Sequence, residues 1–124
     1  MPILIADRAA RACAIVFAPA WAGVVGGELG KGGPGVSIWD KALHFGAYFI
    51  LALLAGVALH DRVRAFLLAL LGLVLMGGIL EIIQGFIGRD CSLYDAFANT
   101  LGVIAGGALA WGVSAVLVRF GRAH

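Results

Sequence analysis

The stretch AFLLALLGLVLMGGILEIIQGF, residues 65–86, sets the architecture of this chain. Its only polar side chains are Glu81 and Gln84. At 1.5 Å rise per residue, a helix of this length reaches across a hydrocarbon core about 30 Å thick. The stretch therefore predicts a membrane-spanning helix. On either side of it, similar apolar runs occupy residues 9–25, 42–59 and 96–118, so the expectation is an all-α integral membrane bundle of four transmembrane helices. The first run is the weakest, because Arg11 lies one turn in and Pro19 lies in its interior. Arg11 is expected to snorkel to the interface, and Pro19 to kink or locally unwind the helix. Arg8 and Arg11 before an apolar run, with Ala18, Ala20 and Ala22 after them, also fit a secretory leader. Both readings leave the later helices in the same orientation.

Composition points the same way. The chain has 124 residues, of which 62% are hydrophobic and 13% charged, with mean hydropathy +1.02. An ordinary soluble domain carries about 25% charged residues, and one of this size hides only about two-thirds of its chain surface. Lipid must therefore solvate the remainder, which excludes disorder, a disulfide-rich scaffold and most soluble enzymes. The formal charge of +2 is spread too thinly for a nucleic-acid footprint, so nucleic acid is not an expected partner.

Orientation follows from the basic residues of short loops. Arg8, Arg11, Arg62, Arg64, Arg119 and Arg122 fall on one side of the expected bundle, against Lys31, Lys41 and Arg89 on the other. The bias predicts both termini in the cytoplasm. Residues 26–39 are glycine-rich and read as a linker, whereas the loop at residues 60–64 is short and makes the second and third helices antiparallel neighbours. Cys13 and Cys91 lie about a membrane thickness apart and cannot pair. We find no internal repeat, and residues 1–124 read as one domain.

The few polar residues concentrate at the helix ends expected to face outward. DKALHFGAY, residues 40–48, puts Asp40, His44 and Tyr48 on one face of the second helix, with Lys41 beside them. Glu81 and Gln84 close the third helix, Arg89 follows, and Ser92, Asp95 and Asn99 open the fourth. Several have ordinary structural readings. Asp40 suits an N-cap, Ser92 and Asp95 suit a cap or the opening turn of the fourth helix, and Lys41 and Tyr48 suit an interface with lipid headgroups. Glu81 is different, because an ionisable group among Ile79, Leu80, Ile82 and Ile83 costs of order 2.5–3.5 kcal/mol at mid-bilayer and so faces a partner inside the protein. Lys41, His44 and Arg89 are the expected partners. Asn99 needs a hydrogen-bonding partner across the bundle for the same reason. Asp95, Asn99, Gly102 and Gly106 form one stripe, in which the two glycines suit close helix packing, with Gly77 and Gly78 of the third helix as complements.

Taken together, D-K-x-x-H-x-x-x-Y from Asp40 to Tyr48, E-x-x-Q from Glu81 to Gln84, and R-x-x-S-x-x-D-x-x-x-N-x-x-G from Arg89 to Gly102 resemble the VanZ-like family of small bacterial membrane proteins. The matched segments cover about half of the chain. Where many relatives carry Pro-Gly before the arginine, this chain has Ile87-Gly88. The resemblance implies a multi-pass protein of the bacterial cytoplasmic membrane with a role at the cell envelope. The family takes its name from a component linked to low-level resistance to the glycopeptide teicoplanin.

Three function classes follow. An outward-facing polar cup, built from Asp40, Lys41, His44, Glu81, Gln84, Arg89, Ser92, Asp95 and Asn99, would bind an amphiphilic envelope component, lipid-linked or glycopeptide-like, with membrane lipids as the surrounding partners. Alternatively, His44 or Glu81 would act as general base in an intramembrane enzyme working on a lipid-linked substrate, with Asp95 orienting it. The third, a small transporter or ion pathway, fits less well, because the polar residues stop at the outer half where a through-route would continue. Set against all three is the reading in which the same residues only lock helix packing. No serine elbow, H-E-x-x-H or phosphate-binding glycine loop is present. His44, Glu81 and Asp95 are metal-ligating residue types, but the sequence carries no metal motif, and neither a metal nor a cofactor is expected. The oligomeric state is not legible.

Overall fold

In the computed structural model of this chain, which describes residues 5–29, 38–86 and 93–121, four α-helices follow one another. They are α1 (Ile5–Leu29), α2 (Ile38–Ala58), α3 (Val63–Phe86) and α4 (Leu93–Gly121). No strand occurs among the described residues. By length and composition, α1, α3 and α4 suffice to cross a membrane, while α2 carries a shorter apolar run, Ala42–Ala58.

The helix ends and interiors depart from expectation in three places. First, α1 stays helical through Pro19, with the proline on its exposed side, so the local unwinding that the sequence allows does not occur. Second, residues 26–29 and 38–39 of the expected linker are helical, and residues 30–37 lie outside the described residues. Third, Asp40 lies within α2, two residues after Ile38, and so does not stand ahead of the helix as a cap. The turn between α2 and α3 is tight. His60 N–H donates to the Val57 carbonyl at 3.3 Å, Arg62 N–H to that of Leu59 at 3.0 Å, and Phe66 N–H to that of Arg62 at 2.8 Å.

Packing follows helical periodicity. His44, Tyr48, Leu51, Ala52 and Ala55 form the buried face of α2. Phe66, Leu73, Gly77, Leu80, Glu81 and Gln84 do so on α3, and Asp95, Asn99, Gly102, Val103, Gly106, Ala110 and Ser114 on α4. Spacings of three, four and seven residues keep each set in one stripe. Tyr48, Leu51, Ala52, Leu73 and Val103 make the main core, against which Phe17, Ala20 and Val24 of α1 pack. Val57, Phe66 and Ala110 make a second core nearer the α2–α3 turn.

The closest helix pair is α2 with α4, although α2 and α3 are joined by the shorter connection. The cause is the glycine pair. A Cβ added at Gly102 would overlap the Phe45 carbonyl oxygen and lie 3.1 Å from the Phe49 nitrogen, and one at Gly106 would overlap the Phe49 carbonyl oxygen. Backbone thus lies directly on backbone, which only glycine permits. Gly102 and Gly106 therefore rest on α2, whereas the sequence offers Gly77 and Gly78 of α3 as complements to their stripe; of those two, Gly77 does approach the stripe, at Asn99. A Cβ added at Gly78 would meet nothing within 4 Å.

The distribution of polarity is inverted relative to a water-soluble fold. Leu68 is 60% exposed and Ile79 56%, and Leu71, Leu75, Ile82, Ile104 and Leu109 also point outward, while Glu81 is 4% and Asn99 1% exposed. An exposed apolar girdle of this extent marks a surface meant for a nonaqueous neighbour.

Candidate functional site: a buried polar cluster at one end of the bundle

Because the helices alternate in direction, the start of α2, the end of α3 and the start of α4 share one end of the bundle. Of the expected contact residues, His44, Glu81, Gln84, Asp95 and Asn99 are described there, and all five are buried. Asp40 and Lys41 lie on the first turn of α2 with side chains outside the described set, and Arg89 and Ser92 lie outside the described residues.

The centre of the cluster is the His44 ring. Its Nδ1 is 3.1 Å from Asn99 Oδ1, so the ring N–H donates to the amide oxygen. Its Nε2 is 3.8 Å from Asp95 Oδ2, an ion pair when the ring is protonated. Asp95 and Asn99 are one turn apart on α4, so a single imidazole on α2 faces both. Asp95 also lies in the first turn of α4, where the positive end of the helix dipole favours a carboxylate. The amide nitrogen of Asn99 is buried and has no hydrogen-bond partner among the described residues. Turning that amide over would direct its N–H groups at the ring and require the opposite tautomer, so amide and imidazole are set together.

From α3, Gly77 closes the floor of the cluster. A Cβ there would lie 3.1 Å from Asn99 Nδ2 and 3.2 Å from Tyr48 Cε2. Any larger residue at 77 would press on the asparagine that holds the histidine. Glu81 and Gln84 continue the same buried stripe toward the end of α3.

Tyr48 corrects the sequence reading. It is fully buried in the main core, not at a headgroup interface. Its spacing with His44, Leu51, Ala52 and Ala55 is the signal that places it inward. Among the described residues no three His, Cys, Asp or Glu side chains come together to hold a metal ion.

Sequence reasoning also passes over the opposite end. There the His60 Nε2 lies 3.5 Å from Asp7 Oδ1, with the histidine side chain buried, and Ser114 is buried on α4. Ser114 continues the stripe of Asn99, Val103, Gly106 and Ala110, a spacing that could have found it. Compared with protein-family models, curated proteins and solved structures, the chain gives no match.

Proposed function

We propose that this chain is a VanZ-like integral membrane protein of the bacterial cytoplasmic membrane, crossing it four times with both termini inside. In this reading the polar cluster holds the polar part of an amphiphilic envelope component at the outer leaflet, while the flanking apolar faces hold its tail. The observation that carries it is the burial of His44, Glu81, Gln84, Asp95 and Asn99 at one end of a bundle whose outside is apolar. Polar groups withdrawn from lipid at such cost are expected to serve a function there. The order and spacing of Asp40 to Tyr48, Glu81 to Gln84 and Arg89 to Gly102 support the family. A role akin to glycopeptide resistance rests on that resemblance alone.

Binding is favoured over general-base catalysis by His44. Both of its ring nitrogens face α4 side chains, Asn99 on one edge and Asp95 on the other, which leaves neither directed at a substrate proton.

The test is lipid analysis of purified protein. Wild type should carry one envelope amphiphile well above its abundance in the membrane extract, and Glu81→Gln and Asn99→Ala should lose it while remaining helical. Identical lipid profiles in all three proteins would reduce the cluster to a packing device. In a protein with Cys13→Ser and Cys91→Ser, cysteines placed at residues 62 and 122 should react with a membrane-impermeant reagent only after the cells are opened; reaction in intact cells would reverse the topology.

A further inference from the structure

The end of the bundle opposite the polar cluster carries a second site of different construction. Two openings meet there at His60. One, about 580 Å³, is lined by His60, Phe66, Trp111, Ser114, Val118 and Arg119. The other, about 510 Å³, includes Asp7, Arg11, His60, Asp61 and Arg62 in its wall. Both volumes fall in the range of about 300–1,000 Å³ usual for small-molecule sites.

The first opening has an apolar wall held by an edge-to-face pair, Phe66 and Trp111, with ring centroids 5.7 Å apart and planes at 70°. Two buried polar side chains interrupt it. His60 is 8% exposed and its Nε2 faces Asp7. Ser114 is 7% exposed, and its hydroxyl has no hydrogen-bond partner among the described residues. On the same helix Thr100 shows the usual alternative, its hydroxyl donating to the Ala96 carbonyl at 2.9 Å. The second opening is polar, and Arg8, Arg11, Arg62, Arg64 and Arg119 against Asp7 and Asp61 make this end cationic. The wall of the second opening is itself charge-balanced, Asp7 and Asp61 against Arg11 and Arg62, but an apolar slot with Arg119 in its wall, at an end where arginines outnumber aspartates, matches an anionic amphiphile in both chemistry and charge.

We propose that this end binds an anionic phospholipid, its acyl chain along Phe66, Trp111 and Val118 and its phosphate at Arg119, with Arg11 and Arg62 beyond His60. The site rests on the membrane reading above but not on the polar cluster at the other end. Trp111 is a built-in reporter. A protein with Trp21→Phe and Trp39→Phe, keeping Trp111, is reconstituted in phosphatidylcholine vesicles containing a minor fraction of brominated phosphatidylglycerol or the same fraction of brominated phosphatidylcholine. Phosphatidylglycerol should quench Trp111 as though enriched about fivefold, the worth of one arginine near a membrane surface, and Arg119→Gln should abolish most of that preference. Arg64→Gln, at the same end but in neither wall, should retain it. Equal quenching by the two lipids overturns the proposal, as does an equal loss in Arg64→Gln and Arg119→Gln, which would signify surface potential alone. Native mass spectrometry of wild-type protein in a mixture of the two lipids gives a second reading without the tryptophan changes, and adducts without preference for phosphatidylglycerol overturn it equally. Protein that does not enter vesicles would sink the membrane reading and this site together, whereas inserted protein without lipid preference sinks this site only.

Discussion

Gly106→Ala tests whether the α2–α4 contact organises the bundle. The added Cβ would overlap the Phe49 carbonyl oxygen and lie 3.0 Å from Ala52 Cβ. The first obstacle is backbone and cannot rotate aside, so the two helices must separate along their shared face. Overpacking of this kind costs about 1–3 kcal/mol. Against it stands the preference of a helix for alanine over glycine, about 0.8–1.0 kcal/mol. Gly112 supplies the control within the same helix, because a Cβ there meets nothing within 4 Å and should collect the propensity gain alone. The propensity contribution cancels between the two variants. Their difference therefore isolates the packing cost, and Gly106→Ala should be less stable than Gly112→Ala by about 1–3 kcal/mol. Reversible unfolding in mixed micelles, with a denaturing detergent as titrant and helical circular dichroism as signal, measures it. If Gly106→Ala proves as stable as Gly112→Ala, backbone contact between α2 and α4 does not hold the bundle together.

Three other expectations follow from local geometry. Ser114→Ala removes a buried hydroxyl that has no partner among the described residues, so it should leave stability unchanged or raise it by about 1 kcal/mol in the same titration; a loss greater than that would reveal a partner for the hydroxyl. Phe66→Ala should cost about 3–5 kcal/mol as a large-to-small core change, and, by removing the edge-to-face neighbour of Trp111, should alter the tryptophan near-ultraviolet dichroism. Asp7→Asn should change stability by less than about 1 kcal/mol, because the carboxylate facing His60 is 46% exposed and largely screened; a larger loss would mean that the pair closes the α2–α3 turn onto α1.

Particular residues show how far each level of description reaches. Glu81 is apolar-flanked on both sides in the chain, and the cost of a lipid-facing carboxylate is enough on its own to direct it inward. The stripe of Asp95, Asn99, Gly102 and Gly106 is likewise legible, since helical spacing alone puts them on one face. Tyr48 shows the limit of residue type. A tyrosine suits an interface, but its register with His44 and Leu51 places this one in the core. Asp40 shows the limit of capping signals, because helix starts are weakly encoded and α2 begins at Ile38, ahead of it.

Helicity, the apolar character of the outer faces and the membership of each stripe are all written in the chain, because periodicity and hydropathy are properties of each segment alone. The three-dimensional arrangement was needed to show that Gly102 and Gly106 rest on Phe45 and Phe49 of α2, that one imidazole faces both Asp95 and Asn99, and that Phe66, Trp111 and Arg119 border a common opening. A stripe declares that it needs a neighbour without naming one. The choice of neighbour follows from how closely two backbones can approach and from how four helices divide the available faces, which are properties of the assembled bundle.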